Sequence, residues 1–352
     1  MAAIEAYNIT HRYGTVTALD DLSFTVDKGE LFGFVGPDGA GKTTLFRIAA
    51  TLIIPAGGRM TLFGLNTVSR FRELRNHIGY MPGRFSLYTD LTVEENLSFY
   101  ATIFGTTVKE NYHLIEPIYK QIEPFRKRQA GRLSGGMKQK LALSCALIHK
   151  PEILILDEPT TGVDAVSRTE FWEMLSRLKG EGITIIVSTP YMDEALRCDR
   201  IALIQSGRIL NINTPDHIRR SYSQKLFAVS HPDKYKLLLA LRALSSGMSS
   251  AVNRPSSSGL QAEASPLIPS GDPAAAGQPS PSGAPSTGKS MPSAKPMAGQ
   301  AEPFGDSVHI TIPEGTTPGE LITALASAGL PGAEIKEIVP GIEDVFLELM
   351  KR

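Results

Sequence analysis

Nine consecutive residues, Gly36-Pro37-Asp38-Gly39-Ala40-Gly41-Lys42-Thr43-Thr44, combine three glycines with a lysine and two threonines. Glycines let backbone N–H groups converge on phosphate oxygens, and a helix opening at Lys42 adds the partial positive charge of its N-terminus. In such a loop the lysine reaches the outer phosphates of a nucleotide and the next hydroxyl ligates Mg2+, roles that fall to Lys42 and Thr43. The run Ile153-Leu154-Ile155-Leu156-Asp157-Glu158 brings two acids out of an apolar segment. Ligands bind at the carboxyl ends of buried strands in α/β sheets. Asp157 therefore reads as a second Mg2+ ligand and Glu158 as the base that polarises an attacking water. A third group, Leu133-Ser134-Gly135-Gly136-Met137, sets a serine and two glycines at the start of a helix. That is either a plain N-cap or a second anion site that a phosphate loop alone does not need.

The elements that must hold these groups run from Ala2 to about Ser223, where strand-like runs alternate with helical patterns and Gly or Pro marks the joints. This is the pattern of an α/β fold. Leu31 to Val35, Ile153 to Asp157 and Ile183 to Ser188 are apolar without alternation, as expected of strands covered on both faces. Helices are predicted from Lys42 to about Thr51, Val93 to Phe104, Gly135 to Leu147, Ser167 to Lys179 and Met192 to Arg197.

Residues 1–223 thus form a nucleotide-binding domain, and 224–244 with 307–352 a small α+β domain. Between them, ten of the chain's 24 prolines fall from Pro255 to Pro303 among Ser, Gly and Ala. Such a segment buries too little apolar surface to offset its chain entropy, which predicts a disordered insertion over 245–306. On its flanks, Leu226 to Val229, the alternating Val308, Ile310 and Ile312, and Ile335 to Val339 read as strands. Leu237, Leu238 and Leu241, then Leu321, Ile322 and Leu325, and finally Val345, Phe346 and Leu349 have helical spacing.

Hydrophobic residues at 42% and charged residues at 20% are ordinary for a globular protein and exclude disorder throughout. Lys+Arg and Asp+Glu both number 36, so no whole-chain field draws in nucleic acid, and no nucleic-acid partner is expected. Cys145 and Cys198 lack metal-ligand or CxxC spacing, which fits a reducing compartment. The apolar runs fall short of the roughly 18 residues a membrane helix needs, and the first residues lack a basic-then-apolar leader. A cytoplasmic protein is expected.

The glycine loop, then Leu133 to Gln139, then Asp157-Glu158, in that order and at close spacing, resemble the ATP-binding cassette (ABC) family, whose signature Leu133 to Met137 matches. The likeness covers about Ala2 to Ser223. It implies a P-loop NTPase cassette with a RecA-like core, an antiparallel β subdomain and a helical signature subdomain. It implies ATP as the nucleotide, with Tyr13 placed like the family's aromatic residue that stacks on adenine, a role suited to a flat face. In this family two cassettes pack head to tail, so the signature of one closes on the ATP of the other. Gly162 and Asp164, within Thr161-Gly162-Val163-Asp164, resemble the dimer-contact loop. The resemblance implies a homodimer or a heterodimer of cassettes. Ile78 to Pro82, Asp90 to Asn96, Tyr191 to Ala195 and the ending Gly341 to Met350 are similar to ABC-2 type exporters, including drug-resistance-like members. An ATPase is implied, peripheral on the cytoplasmic face of the cell membrane. It would serve separate membrane-spanning permease subunits, with Pro82 to Asn96 near the docked coupling helix.

Two positions depart from the family pattern. Gly83 stands where a glutamine usually senses Mg2+ and the attacking water, and Pro190 where a histidine usually contacts the γ-phosphate. Neither side chain forms hydrogen bonds, and Arg84 and Tyr191 are the nearest substitutes. Slow hydrolysis, or hydrolysis at the other site of an asymmetric pair, is expected. Two rival readings remain. A soluble ABC ATPase acting on ribosomes or nucleic acid is disfavoured by one cassette, two cysteines and no sustained heptads. A nucleotide-gated interaction module with impaired hydrolysis is suggested by Gly83 and Pro190 and opposed by Glu158.

Overall fold

The computed structural model describes residues 2–246 and 296–351. They divide into two compact units, 1–223 with 340–352, and 224–339. Most of the predicted insertion, 247–295, lies outside the described residues.

The first unit holds two sheets. In one, β2 (Val16–Asp27), β1 (Ala2–Tyr13), β4 (Gly57–Leu62) and β5 (Leu65–Asn66) lie in that order, antiparallel throughout. Along β2, Leu22, Phe24 and Val26 are buried while their neighbours are exposed, the period of two that leaves one face in solvent.

The other sheet runs β10 (Arg208–Asn213), β9 (Arg200–Gln205), β3 (Leu31–Val35), β8 (Thr184–Thr189), β7 (Ile153–Asp157) and β6 (Ile78–Met81). All pairs are parallel except β10 with β9. Every residue of β3, β7 and β8 is buried, which is why these strands read as unbroken apolar runs. Their register sets Val35 opposite Thr189 and Asp157 opposite Ser188, so three carboxyl ends meet at one edge.

Helix α1 (Lys42–Ala49) leaves that edge directly after β3, and α2 (Phe71–Leu74) is a single turn. Helices α3 (Val93–Ile103), α4 (Val108–Tyr119) and α5 (Gly135–Leu147) follow, the first two opened by capping boxes, Thr92 with Glu95 and Thr107 with Glu110. Helix α6 (Ala165–Gly180) buries Phe171 and Trp172, and α7 (Pro215–Arg220) follows β10. The expected α1 stops short of Thr51, which has a left-handed φ of 59°. Helix α6 begins earlier than Ser167 because Asp164 caps it, and the helix expected from Met192 is only a 3-10 turn, Glu194–Arg197.

The second unit has an antiparallel sheet ordered β12 (Glu302–Phe304), β13 (Ser307–Thr311), β11 (Leu226–Ser230), β14 (Glu334–Ile338). Helices α8 (Lys234–Ser245) and α9 (Pro318–Ser327) cover it, with Val229, Leu237, Ile310, Leu321 and Leu325 in its core. Strand β12 lies inside the stretch assigned to the insertion. Its Pro303 sits on an edge strand, where a missing N–H breaks no ladder.

A second correction concerns α10 (Ile342–Leu349), assigned from sequence to the small domain. Its Ile342, Val345 and Phe346 join the cassette core with Ile218, and Arg219 donates to the Pro340 carbonyl at 3.0 Å. The last residues thus belong to the first unit.

Beyond α5, the His149 ring stacks on Phe104 with centroids 3.7 Å apart, and its Nε2–H donates to the Ile78 carbonyl at 3.0 Å. Burial holds its pKa down at about 4, because the charged ring loses its water. A histidine kept neutral in the fold is protonated first in the unfolded chain. Stability is therefore lost as pH falls from about 6.5 towards 4, by on the order of 2 kcal/mol at pH 4.5. Urea unfolding between pH 7 and 4.5 checks this, and a His149→Gln variant should show a shallower loss.

Candidate functional site

The loop after β3 is shaped by what its glycines exclude. A Cβ on Gly36 would lie 2.1 Å from the Ile204 carbonyl oxygen. Gly41, which caps α1, has φ of 102° and would place a Cβ 2.4 Å from the Ala18 oxygen. Backbone of β9 and β2 thus presses on the loop from behind. Asp38 and Gly39 are exposed, Pro37 and Thr43 half-buried, and Ala40 and Thr44 buried. Lys42 is buried and its Nζ donates to the Gly36 and Pro37 carbonyls at 2.8 and 3.0 Å. The same ammonium stands 3.3 Å from Glu158 Oε1. Loop lysine and candidate base are therefore brought face to face.

Asp157 ends β7 almost fully buried, and its Oδ1 accepts from Ser188 Oγ at 2.6 Å. That hydroxyl in turn accepts from the Glu158 amide at 2.9 Å. Glu158 has a φ of 49°, a left-handed backbone that costs a residue with a Cβ roughly 1–2 kcal/mol. The turn directs its side chain back to Lys42. On neighbouring β6, burial first and the Asp157 charge second push the Tyr80 phenol up to about 12.

Ser134 caps α5, its Oγ accepting from the Met137 amide at 3.4 Å. A Cβ on Gly136 would fall 2.6 Å from Ser167 Oγ, and one on Gly135 3.1 Å from the Gly162 oxygen. Leu133 is buried beside them and Met137 half-buried. Residues 133–137 and 162–167 therefore form one continuous patch within the chain. Asp164 accepts from the Ser167 amide at 3.0 Å, which holds its carboxyl below the usual range. Tyr13, at the end of β1, is exposed, and its ring meets His11 edge-on at 4.8 Å.

Gly83 lies against the end of β7: a Cβ there would be 3.1 Å from the Asp157 oxygen. Pro190 follows β8 directly. Of the suggested substitutes, Arg84 is exposed and Tyr191 lies under the Arg168 guanidinium at 4.4 Å. Ser188 was missed from sequence, although a serine within a wholly buried apolar strand is itself a signal. Glu194, buried beside the same strand end, was seen only as part of a family likeness.

A parallel sheet whose first strand feeds a glycine loop and helix, beside a strand ending in two acids, defines a P-loop nucleotide-binding protein. Residues 19–161 match the model of the ABC transporter family. The Nod factor export ATP-binding protein I of Burkholderia lata is 39% identical over 218 residues, 61% of this chain and 72% of that protein. The probable multidrug ABC transporter ATP-binding protein YbhF of Escherichia coli is also 39% identical over 218 residues, but the match spans 38% of its length. Among solved structures, an ATP-binding subunit of an ABC transporter superposes with a TM-score of 0.57 at 29% identity, covering 62% of this chain and 93% of that one. The dimeric bacterial ABC transporter cassette MJ0796 gives 0.55 at 25% identity, over 60% and 98%. The chain belongs to the ABC transporter ATP-binding family, as its motifs led us to expect.

Gly36→Ala should destabilise the cassette by about 2–4 kcal/mol, because its methyl meets immovable backbone. Gly39→Ala, with nothing within 4 Å and a φ of 79°, should cost only about 1 kcal/mol. Urea midpoints of the two variants check the difference, and equal shifts would contradict the contact at Ile204.

Proposed function

We propose that the chain binds and hydrolyses ATP as the motor subunit of an ABC-2 type exporter, driving separate membrane-spanning permease subunits. The observation that carries this reading is the 3.3 Å approach of Lys42 to Glu158 at the mouth of the glycine loop, with Asp157 beside them. Lys42 and the backbone N–H groups of the glycine loop hold the phosphates, and Tyr13 takes the adenine. The Thr43 hydroxyl and Asp157 carboxylate are hard oxygen donors of the kind Mg2+ prefers, and the ion would offset phosphate charge there. Glu158 orients or deprotonates the attacking water. Ser134 and Gly136 complete the site of a facing cassette, and Gly162 and Asp164 line the contact between the two.

No described helix is long and apolar enough to cross a membrane. A cavity of about 640 Å3 beside Pro82 to Leu87, walled by Leu52, Tyr100, Ile103 and Phe104, suits a docked helix of the permease. The name of one relative, Nod factor export, favours export, and the motor subunit would work at the cytoplasmic face of the membrane.

Gly83 and Pro190 favour a second reading, ATP-driven dimerisation with little turnover. Losing one hydrogen-bonding group at a transition state typically costs on the order of a hundredfold in rate. Steady-state hydrolysis by the purified chain, with dimerisation followed by gel filtration, separates the two. Under the first reading Glu158→Gln abolishes turnover and retains an ATP-dependent dimer, while Lys42→Ala loses both. Dimerisation of the unmodified chain without turnover would establish the second.

A further inference from the structure

Beyond the groups assigned above, one buried carboxylate joins the site's separate loops. Glu194 is 3% exposed, and it accepts hydrogen bonds from two buried hydroxyls. Thr160 Oγ1 donates to its Oε1 at 2.7 Å, and Thr189 Oγ1 donates to its Oε2. Thr160 lies two residues after Glu158, in the turn that leads to Gly162 and Asp164. Thr189 is the last residue of β8, next to the Ser188 that holds Asp157 and the Glu158 amide. The Arg168 guanidinium on α6 comes within 3.7 Å of the same carboxylate, and its Nε is buried with no hydrogen-bond partner among the described residues.

A carboxylate out of water is tolerated only where hydrogen bonds and opposite charge replace its hydration. Here the replacements come from three elements: the turn after β7, the end of β8 and helix α6. Side chains therefore fix the distance between the turn and the strand. Pro190 offers neither a side-chain donor nor an amide at this point. The Thr189 hydroxyl also accepts from the Tyr191 amide at 3.0 Å, which closes the chain around the proline.

We propose that Glu194 is a positioning residue for ATP hydrolysis, holding the turn from Glu158 to Asp164 against the end of β8 so that Glu158 keeps its left-handed backbone and its approach to Lys42. This rests on the ATPase reading for its kinetic consequence, but not for its structural one.

The test compares the full chain with Glu194→Gln, whose amide accepts at only one of its two atoms, and with the milder Thr160→Val and Thr189→Val. Displacing a reacting group by about 1 Å costs up to a hundredfold. Each variant should lower kcat about ten- to a hundredfold while KM for ATP stays within about twofold. Glu194→Gln combined with Thr160→Val should be no slower than the worse single variant. Hydrogen exchange supplies a readout that needs no turnover. The Thr161 and Val163 amides, bonded to the Glu158 and Thr160 carbonyls at 3.2 Å, should exchange faster in Glu194→Gln, with β7 and β8 unchanged.

Absence of hydrolysis by the unmodified chain would sink the ATPase reading and leave the exchange result to decide the positioning role. Unaltered exchange of Thr161 and Val163 would overturn that role. So would unaltered kcat in an active enzyme, or an equal loss of protection across β7 and β8, which marks plain destabilisation.

Discussion

The site depends on an anion placed where anions are least tolerated. Asp157 ends a strand with no exposed residue, and the same sheet that delivers it removes the water that would solvate it. Ser188 on the next strand answers with a hydroxyl at 2.6 Å, a contact set by the parallel register that puts Asp157 opposite Ser188. Slipping that register by one residue would carry the Ser188 hydroxyl away from Asp157, setting Val187 or Thr189 opposite it instead. Strand pairing and site chemistry are thus one constraint.

From that pair the other parts follow. Ser188 also takes the Glu158 amide, which turns the chain into a left-handed conformation and points the second acid towards Lys42. Lys42 is held in turn by the Gly36 and Pro37 carbonyls of a loop whose glycines yield to the backbone behind them. Both charges are therefore located by backbone and hydroxyl contacts before any phosphate arrives. Such advance ordering is what gives a phosphoryl-transfer site its effect, since positioning and electrostatics do most of the work.

Much of this was legible in the chain because the signals are local. Unbroken apolar runs identified β3 and β7 to the residue, since strands buried on both faces are built mainly from apolar side chains. The spacing of glycines, lysine and threonine declared the phosphate loop, and Ser134 declared the start of α5. What stayed hidden depends on contacts distant in sequence. Helical spacing marked Val345, Phe346 and Leu349 as one face but said nothing about what covers it, and α10 turned out to pack with Ile218 in the cassette. Nor does periodicity register a three-residue strand, so Glu302–Phe304 vanished into the proline-rich stretch.

Gly83 and Pro190 show how one departure in sequence can have two physical meanings. Each stands where the family resemblance leads one to expect a hydrogen-bonding side chain, and on sequence grounds both are losses. At the end of β7, however, Gly83 is exposed yet lies close to one backbone atom: a methyl there would come within 3.1 Å of the Asp157 oxygen. A larger residue fits only if the loop moves by a few tenths of an ångström. The proline is compensated differently, since the hydroxyls of Thr189 just before it and of Thr160 in the turn after β7 meet on the Glu194 carboxylate. The geometry of the turn is thus secured without a side chain at position 190. Order of the loop and, on the proposed function, speed of the chemistry are therefore separable properties here, with the first supplied by buried hydroxyls and the second asked of Glu158.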